Sequence, residues 1–212
     1  MSGRPPHPSK SRADRYLLEH GHAQSRAQAR ASIEAGKVRA DGVVVEKPAQ
    51  MLSEGARIEF VQAHPYVSRG ALKLIAALER FQHSCVDRVC LDLGASTGGF
   101  TEVLLQRGAT RVYAVDVGHG QLHVSLKCDR RVLSLEGVNA RSLSRQHIPE
   151  PVDAIVADVS FICLKLVLAP ALKLARPGAW LVALVKPQFE VGASNIGKGG
   201  IVRDAEAREA AV

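Results

Sequence analysis

From residue 88 the chain alternates short apolar runs with segments of helical periodicity, and this rhythm is its strongest structural signal. Strands are expected at 88–93, 111–116, 131–135, 153–158 and 179–185, with helices at 99–107, 119–127 and 162–175. Alternation of this kind predicts a parallel sheet covered by helices on both faces. Residues 12–60 have a different texture. "SRADRYLLEHG" places Ala13, Tyr16, Leu17 and Leu18 in a helical pattern that stops at Gly21. In "SRAQARASIEAGKV", Ser25 is a candidate N-cap, Ala29 and Ile33 share a face, and Gly36 is the stop. "VRADGVVVEKP" and "ARIEFV" follow as strand-like runs, with turns at Asp41-Gly42 and Ser53–Gly55.

These patterns divide the chain into a loose polar tail (1–10), a small α+β module (11–62) and an α/β domain (63–212). His64-Pro65 forms the joint, and Ser68 can cap a helix running to Phe81. The longest apolar stretch, "LVLAPALKLARPGAWLVALV", is interrupted by Pro170, Lys173, Arg176 and Pro177, which argues against a membrane span. Four scattered cysteines without a CxxC pair, and no signal peptide, read as reduced thiols in a cytoplasmic protein. Cys85, Cys90 and Trp180 are expected in the core. His119 and His123 fall four apart on the expected 119–127 helix, but no third ligand accompanies them, so no metal site is expected.

Charge changes the picture of the small module. The net charge of the 212-residue chain is +7. The first forty residues carry eight basic against three acidic side chains, a net +5. Arg26 and Arg30 are one helical turn apart, and with Arg12, Arg15, Lys37 and Arg39 they make a candidate phosphate-binding surface for RNA.

The first α/β turn, "LDLGASTGGF", holds the candidate chemistry. Its spacing is D-x-G-x-x-x-G-G, with Ser96 where a dinucleotide fingerprint requires glycine. Glycines let a ligand approach the backbone, and the following helix presents free N–H groups. Asp92, at the strand end, disfavours a pyrophosphate and favours a ligand with a positive end. Asp116, ending the second strand, suits ribose hydroxyls. S-adenosylmethionine satisfies both requirements, with NAD as the alternative. Asp158 and Lys186 end the fourth and fifth strands, each after an apolar run, where open parallel sheets bind ligands.

The stretches "SRAQARASIEAGKVRADG", "YVSRGALKL", "LDLGASTGGFTEVLLQRGA", "DVGHGQL", "VNAR", "VADVSF" and "LVKPQFEVG" resemble the TlyA-type ribosomal RNA methyltransferases, some of which carry the name hemolysin A. That resemblance implies a Rossmann-like, FtsJ-like methyltransferase sheet preceded by an RNA-binding module of the kind first seen in ribosomal protein S-four. It implies methyl transfer from S-adenosylmethionine to a cytidine ribose 2′-hydroxyl in ribosomal RNA or ribosomal subunits. By motif, Lys73, Asp158 and Lys186 match three members of a Lys-Asp-Lys-Glu tetrad. The resemblance also implies cofactor contacts from Gly94, Ala95, Ser96, Thr97, Gly98, Gly99 and Phe100, from Asp116 and Val117, and near Asn139 and Ala140. The family's late glutamate has no match. The chain ends at Val212 within a helical pattern, which reads as a truncation, and Glu190 and Glu206 fall elsewhere in the pattern. A base-directed N-methyltransferase, a noncatalytic RNA-binding fragment and a membrane-active cytolysin are the competing readings. The first is weakened by Asp158-Val159-Ser160-Phe161, which lacks the prolines of a D/N-P-P-Y/F motif.

Overall fold

The structure is a computed structural model of the chain and describes residues 10–192, 196–197 and 199–212. Of the expected tail, 1–10, residues 1–9 lie outside them, and Lys10 instead opens the first strand. The chain divides into two compact units between Arg69 and Gly70. The division falls later than the sequence pattern suggests because residues 63–69 bond back to the first unit. Ala63 N–H donates to Ser32 Oγ (3.1 Å), and Arg69 pairs with Glu34 (2.6 Å).

In the first unit, β1 (Lys10–Arg12) leads into α1 (Ala13–Glu19) and α2 (Arg26–Glu34). Strands β2 (Val38–Ala40), β3 (Val43–Val44), β4 (Met51–Ser53) and β5 (Ile58–Phe60) follow. β1 pairs antiparallel with β4, and β2 lies between β3 and β5. The Ser25 hydroxyl accepts the Gln28 N–H (3.1 Å), so the expected N-cap of α2 forms. Tyr16, Leu17, Ile33, Val38, Val45 and Leu52 close the core.

Asp14 is the unexpected member of that core. Its side chain is fully covered, and its carboxylate is gripped by Arg12 (3.1 Å) and Arg26 (2.7 Å). The Arg12 hydrogen bond, aided by Arg26 and opposed by burial, holds its pKa down to about 2.

The second unit begins with α3 (Gly70–Phe81) and continues through β6 (Val89–Leu93), α4 (Gly99–Gln106), β7 (Arg111–Asp116), α5 (Val124–Lys127) and β8 (Val132–Glu136). A 3-10 turn (Ala140–Ser142), β9 (Val152–Ala157), α6 (Leu164–Leu172), β10 (Ala175–Ala183), α7 (Pro187–Glu190) and α8 (Ala205–Ala210) complete it. The five strands form one parallel sheet in the order β10-β9-β6-β7-β8. The order reverses between β6 and β9, and the crevice at their carboxyl ends is where open α/β sheets take ligands. Alternate strand residues face opposite sides. Leu91, Leu93, Tyr113, Val115 and Ile155 pack with Leu164, Val167 and Ala171 of α6. Asp92 faces the other side, where Thr101 of α4 reaches it.

The sheet follows the sequence pattern closely, with two exceptions in its surroundings. The expected helix at 119–127 shrinks to Val124–Lys127. Gly118 and Gly120 favour a loop there, and Glu136 accepts the Gly120 N–H (2.9 Å) to hold it open. His119 and His123 therefore share no helix face, and His123 instead caps α5. Trp180 is not in the core. It sits partly buried on edge strand β10, stacked on His83 with ring centroids 4.9 Å apart, and donates to the Ser84 carbonyl (3.2 Å). Cys85 and Cys90 are buried as expected.

D14N is expected to lower the unfolding free energy by about 1–2 kcal/mol at pH 7, allowing for the solvent exposure of both arginines. Because the folded pKa lies below the unfolded value, the wild-type advantage is present above about pH 4 and fades as pH falls through about 2. Urea melts at pH 7 and near pH 2 measure both effects.

Candidate active site

The strand-end crevice is an open cleft of about 550 Å³. One wall is the loop after β6, with Gly94 and Ser96. The second is Asp116 and Val117 after β7, with Gln121. Val138, Asn139, Ala140 and Arg141 form the third, and Asp158 through Ile162, after β9, form the fourth.

The glycine loop is shaped by close approach. Gly94 has φ +79°, and a Cβ there would stand 2.9 Å from the Asp158 carbonyl oxygen, so only glycine lets the β6 and β9 ends meet. Gly98, the N-cap of α4, is left-handed at φ +97°, which by itself favours glycine, and a Cβ there would also meet the Leu126 side chain at 2.2 Å.

Asp116 anchors the loops on either side of it. One carboxylate oxygen accepts the Ser96 N–H (2.8 Å) and the other the Gly118 N–H (2.8 Å). Each oxygen retains a lone pair for a ligand hydroxyl. Glu136, at the end of β8, supports the same region. Its bond from Gly120 N–H, reinforced by Lys127 at 2.9 Å, holds its pKa down to about 2.

Three charged groups meet at the fourth wall. Lys186 Nζ lies 2.6 Å from Asp158 Oδ1, an ion pair outside hydrogen-bond alignment, and donates to Ser160 Oγ at 2.8 Å. Lys73, from α3, approaches the other carboxylate oxygen to 3.6 Å. Asp158 and Lys186 are about one-fifth exposed, whereas Lys73 is half-exposed. One carboxylate thus bridges two ammonium groups at the lip of the cleft.

Of the residues singled out in sequence, Gly94, Ser96, Asp116, Val117, Asn139, Ala140 and Asp158 line the cleft. Ala95, Thr97, Gly98, Gly99 and Phe100 shape the loop and the start of α4 without lining it. Asp92 does not reach the cleft. It is completely buried, Thr101 Oγ1 donates to its Oδ2 (2.7 Å), and its Oδ1 has no hydrogen-bond partner among the described residues. Burial, opposed by the bonds from Thr101, pushes its pKa up to about 7. Gln121, Arg141, Ser160 and Phe161 line the cleft unannounced by the sequence pattern. Phe161 is 91% exposed with φ +64°, and no periodicity marks such a residue. Among the described residues no three metal-ligating side chains cluster.

In the first unit, the six basic residues of the candidate RNA surface are all exposed but unequally free. Arg12 and Arg26 are held by Asp14, and Arg15 pairs with Glu19 (2.7 Å). Lys37 and Arg39 each donate to one backbone carbonyl. Arg30 has no such partner among the described residues.

Residues 66–212 match the FtsJ-like methyltransferase family and residues 11–58 the S4 domain. The chain belongs to the FtsJ-like methyltransferase family. It is 50% identical, over 96% of its length and 76% of the relative's, to the 16S/23S rRNA (cytidine-2′-O)-methyltransferase TlyA of Mycobacterium tuberculosis. It is 42% identical to Hemolysin A of Brachyspira hyodysenteriae, over 93% of this chain and 83% of that one. A solved hemolysin-named structure from Streptococcus thermophilus is 41% identical and superposes with a TM-score of 0.73, covering 96% of this chain and 75% of that one. The parallel sheet and small N-terminal module are therefore those of an FtsJ-like methyltransferase with an S4 domain.

In the FtsJ-like domain, G94A must hold a Cβ at a left-handed residue and push back the Asp158 carbonyl. It is expected to cost about 1–3 kcal/mol of stability. A thermal melt against wild type measures the loss.

Proposed function

We propose that the chain transfers a methyl group from S-adenosylmethionine to a ribose 2′-hydroxyl of ribosomal RNA, at cytidine. The observation that carries this reading is the Lys73–Asp158–Lys186 cluster at the mouth of the cleft. A ribose hydroxyl is a weak nucleophile, and its oxygen gains negative charge only as its proton leaves. A pair of ammonium groups fixed by one carboxylate suits that charge. The names of the relatives support the same substrate class.

The cleft has the features this cofactor requires. The side-chain-free surface of Gly94 admits a ligand against the backbone. Asp116 offers acceptor lone pairs to ribose hydroxyls, and Val115, Val117, Val138 and Ile162 offer an apolar wall. Gly94, Ser96, Asp116, Val117, Asn139 and Ala140 would hold the cofactor. When bound, S-adenosylmethionine supplies a methyl carbon attached to a good sulfonium leaving group.

The protein's own part is to present the acceptor. The Lys186 ammonium has three N–H groups; Ser160 accepts from one, Asp158 holds the charge as an ion pair, and N–H capacity remains for the ribose oxygen. Asp158 offsets one of the two positive charges, so the trio keeps a net positive charge for the developing oxygen anion while Lys186 stays charged in a partly desolvated place. Lys73, the more exposed and more loosely paired, suits the hydroxyl or an adjacent phosphate. The exposed basic residues of the S4 domain would supply affinity through RNA phosphates, with RNA shape giving selectivity. Asp158-Val159-Ser160-Phe161 lacks the prolines of the base-directed N-methyltransferase motif, and two lysines beside one carboxylate favour the oxygen acceptor. A membrane-active reading finds no support in helices, since among the described residues none is long and apolar enough to cross a membrane.

With tritiated S-adenosylmethionine and ribosomal subunits, the wild type is expected to label RNA in nuclease-resistant, 2′-O-methylated dinucleotides. K186A is expected to lose about 10²–10³-fold in rate while cofactor affinity by calorimetry holds. Label on a base, or full activity of K186A, overturns the assignment. R30E is expected to weaken RNA binding about 3- to 10-fold at low salt, with a shallower salt slope and unchanged cofactor affinity.

A further inference from the structure

Lys186 is a long, flexible side chain, and one ion pair with Asp158 leaves its terminal bond free to rotate. The structure shows a second restraint. Ser160 Oγ accepts from Lys186 Nζ at 2.8 Å, and Ser160 lines the cleft. One hydrogen-bond acceptor and one adjacent carboxylate charge, each at a defined place, restrict rotation of the ammonium and so the directions open to its remaining N–H groups.

The loop that carries Ser160 is itself held. Asp158 N–H donates to the Leu93 carbonyl (3.0 Å), while Val159 and Ile162 pack into the core on the inner side. Phe161 turns the chain in the left-handed region. The turn carrying Lys186 is clipped to the same loop on its far side. Glu190 Oε1 accepts the Leu164 N–H at 2.9 Å, at the start of α6, and the Phe189 and Phe161 rings meet with centroids 5.1 Å apart. Glu190 thus serves as a helix cap, and the hydroxyl–amine bond lies between two clamped segments.

We propose that Ser160 is a positioning residue for Lys186, its hydrogen bond orienting the ammonium beside the Asp158 charge so that an N–H is presented to the acceptor oxygen of the substrate. This rests on the reading of Lys186 as the group that meets that oxygen. The hydroxyl undergoes no covalent change; its contribution is to narrow the orientations of the amine. Losing a hydrogen bond to a charged group corresponds to about a 10- to 100-fold effect where the transition state depends on it.

The test compares wild type, S160A and S160T as full chains, with S-adenosylmethionine and ribosomal subunits. S160A is expected to lower kcat about 10- to 100-fold, with KM for the subunits and cofactor Kd within about twofold of wild type. S160T, which keeps the hydroxyl, is expected to recover most of the rate. An activity-independent arm pulses each protein with an acetylating reagent and follows Lys186 by mass spectrometry. Lys186 is expected to react several-fold faster in S160A than in wild type or S160T. Wild-type kcat in S160A overturns the proposal. So does a rise in KM at constant kcat, which marks a direct substrate contact, or S160T no faster than S160A, or identical Lys186 labelling in all three. If the wild type transfers no methyl group at all, the substrate reading fails, and the labelling comparison alone decides the role of Ser160.

Discussion

A single carboxylate shared by two ammonium groups is the constraint around which the catalytic half of the molecule is arranged. Asp158 can sit at the end of β9, one-fifth exposed, only because Lys186 and Lys73 offset the cost of withdrawing its charge from water. The lysines depend on it equally. β9 lies between β6 and β10, so its carboxyl end opens beside the point where strand order reverses. β10 delivers Lys186 from the neighbouring strand end, and α3 brings Lys73 from a different element. The cluster thus requires the sheet order, the edge strand and the first helix of the domain to be in place together.

The opposite side of the cleft solves a different problem, that of loop backbone. Loops that turn sharply at strand ends leave N–H groups without ladder partners. Asp116 accepts two of them and Glu136 accepts the Gly120 N–H, so two acids shape the site before any ligand arrives. Gly94 completes the arrangement, since a side chain there would push β6 and β9 apart. The Asp116 oxygens that hold the loops are the same ones proposed to meet the cofactor's ribose hydroxyls. Its replacement would disturb both, so Lys186 reports more cleanly on the site.

The sheet was legible because a parallel strand buried on both faces is a continuous apolar run, and charged residues that end such runs stand out. Asp116, Asp158 and Lys186 were found that way. Asp92 shows the limit of the method. Its position in a strand–glycine motif reads as ligand-facing, but strand alternation turns it to the side where Thr101 waits, and burial keeps it from the cleft. Ser160 and Phe161 gave no periodic signal, because an irregular loop, left-handed at Phe161, has no period to mark which residues line the cleft. The lost turns of the expected helix at 119–127 have the same origin. Glycines at 118 and 120 and a bond from a strand distant in sequence outweigh local propensity. Trp180 misled by its chemistry, since an indole on an edge strand can stack on an imidazole and remain partly in water.

Charge in the S4 domain shows why a count is not a potential. Eight basic residues in the first forty promise a strongly cationic surface. Two of them are committed to Asp14, whose buried carboxylate ties the start of α1 to α2, and a third is paired with Glu19 along α1. Those arginines hold the domain together with part of their guanidinium while the remainder faces solvent. A phosphate approaching Arg12 or Arg26 meets a charge already half neutralised, whereas Arg30 on the same helix meets it whole. Affinity for RNA should therefore be uneven across the surface, strongest where the fold has left a cation unspent. The same argument explains why folding and binding can share one basic surface: guanidinium has five donors, and a carboxylate consumes two.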